Sequence, residues 1–118
     1  MLRTVLLSKI HRATVTGACL EYMGSISLDA QLLAAAHILA FEQVHVVNLN
    51  NGARLITYAI EATAGSGAVV LNGAAARLAA PGDRVIVLAY GQGTTEELEN
   101  HQPRVVHVDT GNRIVACV

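Results

Sequence analysis

Tryptophan is absent from this 118-residue chain and aromatic residues make up 3% of it, so an aromatic platform on which nucleic-acid bases stack has no material. Eight basic and nine acidic residues leave a net charge of -1 with no run of one sign. Both a phosphate-tracking surface and a polybasic membrane patch are thereby excluded, and no nucleic-acid or membrane partner is expected. The longest apolar run falls well short of the ~18 residues of a membrane span. Met1-Leu2-Arg3-Thr4-Val5 lacks the basic-then-apolar layout of a signal peptide, so a cytoplasmic location is expected. Cysteine is represented only by Cys19 and Cys117, too far apart for a redox or metal pair, and both read as reduced, packed thiols. His11, His37, His45, His101 and His107 show no ligand spacing, and no metal is expected.

What the chain does have is 53% hydrophobic residues, carried by Val, Ile, Leu and Ala, enough for one core in one domain over residues 1–118. Branched aliphatic residues point to strands. Alternation from Leu6 to Val15 puts Leu7, Lys9, His11, Ala13 and Val15 on one face, so Lys9 and His11 point the same way. Asp29 is a candidate N-cap for a short helix turning Leu32, Leu33, Ala36 and Leu39 inward. Val44 to Leu49 reads as a strand, and Asn50-Asn51-Gly52 as a hairpin turn into a second strand from Arg54 to Ile60. Further strands are expected at Ala68 to Leu71, Arg84 to Tyr90, Arg104 to Val108 and Arg113 to Cys117, with a capping box formed by Thr94 and Glu97. Many short strands with a few helical turns indicate a small, mainly β barrel, and its abundant apolar surface suggests burial between subunits.

The chain's chemistry centres on Glu21-Tyr22-Met23-Gly24-Ser25-Ile26-Ser27-Leu28-Asp29. A serine hydroxyl can attack the carbonyl of a preceding glycine, whose missing Cβ admits strained backbone geometry. The dipeptide alone decides nothing, because Gly65-Ser66 repeats it in Ala64-Gly65-Ser66-Gly67, an ordinary turn. Asn72-Gly73-Ala74-Ala75-Ala76 is rich in small residues but fits neither a dinucleotide fingerprint nor a phosphate loop, so its use lies in bare backbone.

Lys9-Ile10-His11-Arg12-Ala13, Tyr22-Met23-Gly24-Ser25, Asn51-Gly52-Ala53-Arg54, Thr57-Tyr58, Asn72-Gly73-Ala74-Ala75-Ala76 and Pro81-Gly82-Asp83 occur in one collinear order. Together they resemble the pyruvoyl-dependent aspartate 1-decarboxylases. That resemblance implies a six-stranded double-psi β-barrel with short helices. It implies a homotetramer with active sites between neighbouring subunits, and conversion of L-aspartate to β-alanine and CO2 for pantothenate synthesis. It further implies self-cleavage between Gly24 and Ser25 into chains 1–24 and 25–118, Ser25 becoming a covalent pyruvoyl group; no separate cofactor and no metal is needed. Cys19 stands where the family leads one to expect an acidic or amide residue, and His37 where a small residue is common within the helix.

On that resemblance Ser25 supplies the attacking hydroxyl and Thr57 polarises the Gly24 carbonyl, a role suited to a hydroxyl donor. The pyruvoyl carbonyl forms a Schiff base with aspartate and draws electrons as CO2 leaves. Arg54 is the candidate clamp for one carboxylate through its planar fork, and Lys9 balances the second carboxylate or positions the first. Tyr58 is the candidate proton donor, while the backbone N–H groups of Gly73, Ala74 and Ala75 are candidates to hold substrate oxygens. His11, Tyr22 and Asn72 are candidates to line the pocket, with packing, surface or turn roles as the alternatives. A difficulty remains in the strand itself. Arg54 and Tyr58 lie roughly 13 Å apart at ~3.3 Å per residue, and Thr57 faces away from both. Three questions stay open: whether the substrate is glutamate, one methylene longer, whether the barrel is an unprocessed binding module, and whether cleavage needs a helper protein.

Overall fold

β-Branched side chains pack well on a pleated surface, and here the short runs that carry them form nine strands. The computed structural model describes residues 1–118. In chain order it contains β1 (Leu2–Thr14), β2 (Gly17–Cys19), β3 (Ser25–Asp29), α1 (Ala30–Ala36), β4 (Gln43–Asn48), β5 (Arg54–Ala62) and β6 (Val69–Asn72). A 3₁₀ turn (Gly73–Arg77), β7 (Arg84–Thr94), α2 (Thr95–Leu98), β8 (Arg104–Val108) and β9 (Ile114–Cys117) complete it.

The hydrogen-bonded order is β2-β6-β3-β5-β4-β7-β1-β8-β9. Since β2 continues β1 after only Val15 and Thr16, the run from β2 to β1 closes on itself through a single chain segment. Six strands surround this ring: β1 with its continuation β2, then β6, β3, β5, β4 and β7. Outside it, β8 adds parallel to β1 and β9 antiparallel to β8. Ile10, Ile26, Leu28, Val44, Val46, Ala59, Leu71, Val85 and Val87 fill the interior, part of one cluster of 20 buried residues.

Three expectations are corrected. Cys19 and Cys117 are free but exposed rather than packed, each lying on a short strand at an end of the sheet order. The alternation in β1 holds only as far as Ile10, because Arg12 adopts φ 64° and the pairing with β7 moves from Ile10↔Val87 to Ala13↔Val85. That extra residue is a bulge, and it inverts the side-chain phase beyond it. Ala13 and Val15 are therefore buried with Ile10, opposite to Lys9 and His11. The Asp29 cap on α1 is present, accepting from Gln31 N at 2.8 Å, but the helix stops at His37, a left-handed C-cap with φ 57°. Leu39 lies past that stop and is exposed, so only Leu32, Leu33 and Ala36 of the expected apolar stripe are buried.

The Thr94–Glu97 capping box is present at the start of α2. β7 runs past Tyr90 to Thr94 because the N-terminal end of β1, from Leu2 to Val5, pairs with it.

Candidate active site

Ser25 opens β3, and antiparallel pairing sets it opposite Asn72 at the end of β6. Its side chain is buried. Oγ donates to the Met23 carbonyl at 3.2 Å and accepts from Asn72 Nδ2 at 2.9 Å. The other Nδ2 hydrogen reaches Ser27 Oγ, also at 2.9 Å, so the amide is held from two sides. Asn72 is itself buried and makes no cap bond to the following 3₁₀ turn; holding Ser25 and Ser27 is its contact in the structure. The sequence alone offers a turn residue at this position, because only strand pairing brings it to Ser25.

Beside this pair the backbone of Gly73 presses on the bond before Ser25. Gly73 has φ 66°, and a Cβ added there would stand 2.8 Å from both Gly24 Cα and Gly24 N, and 2.9 Å from the Tyr22 carbonyl oxygen. No side chain fits between the two segments. Gly24 behaves differently: its φ lies outside the left-handed region and a Cβ would meet nothing within 4 Å. In this conformation the need for a missing side chain beside the bond therefore lies at Gly73.

A cleft of about 390 Å³ opens next to this bond, bordered by Gly24, Thr57, Tyr58, Ala74 and Ala75, with Leu55, Ile56 and Leu78 completing its wall. Thr57 and Tyr58 both reach it although successive residues of a strand face opposite ways. The reason is the sheet edge. β5 pairs with β4 along Arg54 to Tyr58, but its pairing with β3 begins only at Ala59, opposite Ile26. Continuing that parallel register backwards brings the Gly24-Ser25 bond alongside Thr57-Tyr58, at an edge where both faces of β5 border the same space.

Arg54, Lys9, His11 and Tyr22 are not brought to this cleft in the protomer. Arg54 is exposed, and its Nη1 contacts His45 Nδ1 at 3.2 Å. Lys9 pairs in register with Leu88 of β7 and Val105 of β8, with β7 and β4 between it and β5. Tyr22 is 54% exposed in the segment before Ser25. His11 packs edge-on against His107 with ring centroids 5.5 Å apart, and its Nδ1 is buried without a hydrogen-bond partner. Burial first, then the positive charges of Lys9, His107, Arg12 and Arg84, hold its pKa below the usual histidine value.

At the far end of β3, the buried Asp29 carboxylate also accepts from Gly65 N at 3.1 Å and Gly67 N at 2.8 Å. Burial alone raises a carboxyl pKa, but the backbone donors of Gly67, Gln31 and Gly65 together outweigh it and hold Asp29 below the ordinary aspartate value. The Gly65-Ser66-Gly67 turn thereby anchors the strand that presents Ser25. No group of three or more His, Cys, Asp or Glu side chains gathers as a metal site, and no helix is long and apolar enough to cross a membrane.

A six-stranded ring that holds a buried serine, bonded to the Met23 carbonyl and the Asn72 amide directly after Gly24 and beside a small cleft, defines the class, and comparison with known proteins specifies it. The chain belongs to the aspartate decarboxylase family, whose family model matches residues 1–115, and is thus assigned to the carboxy-lyases. It is 82% identical over 116 residues to aspartate 1-decarboxylase 2 of Gloeobacter violaceus, covering 98% of this chain and 93% of that one. It is 62% identical over 115 residues to aspartate 1-decarboxylase of Acaryochloris marina, covering 98% of this chain and 88% of the relative. With aspartate 1-decarboxylase of Dehalococcoides mccartyi it shares 58% identity over 110 residues, 93% of this chain and 89% of that protein.

Proposed function

We propose that this protein cleaves itself between Gly24 and Ser25 and then, using the group left at Ser25, decarboxylates L-aspartate to β-alanine and CO2 in the cytoplasm, for pantothenate synthesis. The observation that carries the reading is the Ser25 hydroxyl, buried and held by Asn72 and Met23 next to the Gly24 carbonyl, at the edge of the Thr57–Tyr58 cleft. A pyruvoyl group suits these residues. The position is enclosed, an amide donor already points at the serine oxygen, and Thr57 and Tyr58 add hydroxyls on the open side.

In the maturation step Ser25 Oγ attacks the Gly24 carbonyl carbon, the C–N bond breaks, and the hydroxyl proton ends on the departing nitrogen, leaving an ester. Thr57 donates to the carbonyl oxygen as negative charge builds there. Removal of the Ser25 Cα proton expels the Gly24 carboxylate, and addition of water with loss of ammonia completes a ketone at residue 25. The products are chains 1–24 and 25–118. When present, the pyruvoyl group supplies the electron-withdrawing carbonyl that decarboxylation needs.

For turnover Arg54 binds one substrate carboxylate through its planar fork and Lys9 balances charge at the same site. Tyr58 delivers a proton to the carbon from which CO2 has left, and the backbone N–H groups of Gly73, Ala74 and Ala75 hold substrate oxygens. His11 and Tyr22 line the completed pocket. Within one protomer Arg54 and Lys9 lie outside the cleft, which supports a site finished by a neighbouring subunit in a homotetramer; exposed Tyr22, Met23, Phe41 and Ile56 supply apolar contact surface for it.

Mass spectrometry tests the reading: the purified protein should give two fragments, 1–24 and 25–118, the larger with a ketone in place of its amine. An intact chain with no release of β-alanine from aspartate, with or without cell extract as a source of a maturation factor, would overturn it.

A further inference from the structure

Arg54 carries the substrate role proposed above, yet it stands on an exposed strand surface where a long side chain has many rotamers to lose. One contact limits that freedom. Its Nη1 lies 3.2 Å from Nδ1 of His45 on the neighbouring strand β4. A guanidinium nitrogen is always a donor, so Nδ1 must be the acceptor and the neutral ring must carry its proton on Nε2. The ring is fixed in turn from the other side. Tyr90 of β7 packs edge-on against it with centroids 4.8 Å apart.

The register explains why these three meet. His45 lies between Ile56 of β5 and Leu88 of β7, on the outward face that also carries Arg54 and Tyr58 of β5 and Tyr90 of β7. We propose that His45 is a positioning residue: neutral, it orients the Arg54 fork for the substrate carboxylate, and protonated, it releases it. A second proton on the ring removes the acceptor lone pair and sets one cation against another. The titratable or charged groups on the His45 face of the strands packed on β4 are Arg54, Tyr58, Tyr90 and, four residues from Leu88 and so about 13 Å along β7, Arg84. Lys9, opposite Leu88 on β1, is two strand spacings away, about 10 Å. No carboxylate lies on this face among those neighbours to offset the imidazolium, so its charge acts on Arg54.

The inference rests on the substrate role of Arg54, and the experiment separates the two. KM and kcat for L-aspartate are measured from about pH 8 down to pH 5.5, the range in which imidazoles titrate, per mole of cleaved chain for the parent, His45→Leu, His45→Asn and Arg54→Ala. In His45→Leu, KM at pH 8 should rise about fivefold to tenfold with kcat nearly unchanged, as loss of one hydrogen bond to a surface cation predicts. His45→Asn puts an amide oxygen near the place of Nδ1 without a titrating ring. It should keep the parental KM at pH 8 and lack the parental rise in KM toward acid. ¹⁵N NMR of the parent should show the neutral ring of His45 protonated on Nε2. A parental KM in His45→Leu, the same acid rise in KM in His45→Asn as in the parent, or a proton on Nδ1 would each overturn the positioning role. If Arg54→Ala itself leaves KM unchanged, the substrate role of Arg54 fails instead.

Discussion

Replacing Gly73 by alanine tests whether the packing around Gly24 prepares the chain for cleavage. The new methyl carbon would lie 2.8 Å from Gly24 Cα and N and 2.9 Å from the Tyr22 carbonyl, where ordinary contact begins near 3.4 Å, and every one of these neighbours is backbone. A left-handed conformation costs alanine about 1–2 kcal/mol, and overpacking a filled site costs about 1–3 kcal/mol more. The combined loss, roughly 2–5 kcal/mol, corresponds to a fall in melting temperature of about 8–20 °C for a chain of this size. Relief comes only by moving residues 22–24 outward. That carries the Gly24 carbonyl away from Ser25 Oγ and Thr57, so cleavage should slow by at least the tenfold that 1.4 kcal/mol represents. Gly82→Ala is the control: Gly82 has φ 94° but open space around its Cβ position, so it loses stability through backbone conformation alone and should cleave normally. Cleavage is followed by mass spectrometry over time, and melting by calorimetry at matched protein concentration. Parental cleavage and melting in Gly73→Ala would refute the packing argument.

Other expected outcomes follow from the same geometry. Thr57→Val should accumulate as the intact chain on a denaturing gel, whereas Tyr58→Phe should be cleaved but turn over roughly 10²- to 10⁴-fold more slowly. Intact Tyr58→Phe would make Tyr58 a maturation residue. Asn72→Leu removes the donor to Ser25 Oγ and leaves Ser27 without its partner, so cleavage should slow and stability fall by about 1–3 kcal/mol, read by mass spectrometry and denaturant melts. Arg54→Lys keeps charge but loses the fork; cleavage should be normal and KM for aspartate should rise, each lost charge-assisted hydrogen bond costing about 1.5–3 kcal/mol. Asp29, whose backbone donors hold its pKa below the ordinary aspartate value, adds stability in full above its unfolded value and loses it as pH falls through its native one. Melting of the parent should therefore drop more steeply below about pH 4 than that of Asp29→Asn, and equal slopes would dismiss the linkage.

Much of the local structure was legible from the chain itself, because it depends on neighbours in sequence. The Asp29 cap, the Thr94–Glu97 capping box and the turn at Asn50-Asn51-Gly52 each satisfy backbone groups within a few residues, and all three are present. Family membership was also legible, since the ordered motifs from Lys9 to Asp83 are a property of sequence alone, as was the mainly β character carried by branched residues. Tertiary structure decided what depends on distant partners. The phase of β1 turns over at Arg12 because β7 imposes a bulge, which no period-two pattern contains. Asn72 becomes the partner of Ser25 only because β3 and β6 pair, and Thr57 joins Tyr58 in one cleft only because β3 begins too late to cover that edge of β5. Gly73, rather than Gly24, bears the demand for a missing side chain, since the crowding comes from a segment almost fifty residues away. Hydrogen bonds and steric contacts act across space, whereas sequence periodicity records only the preference of each strand for its two faces; the register between strands chooses which residues meet.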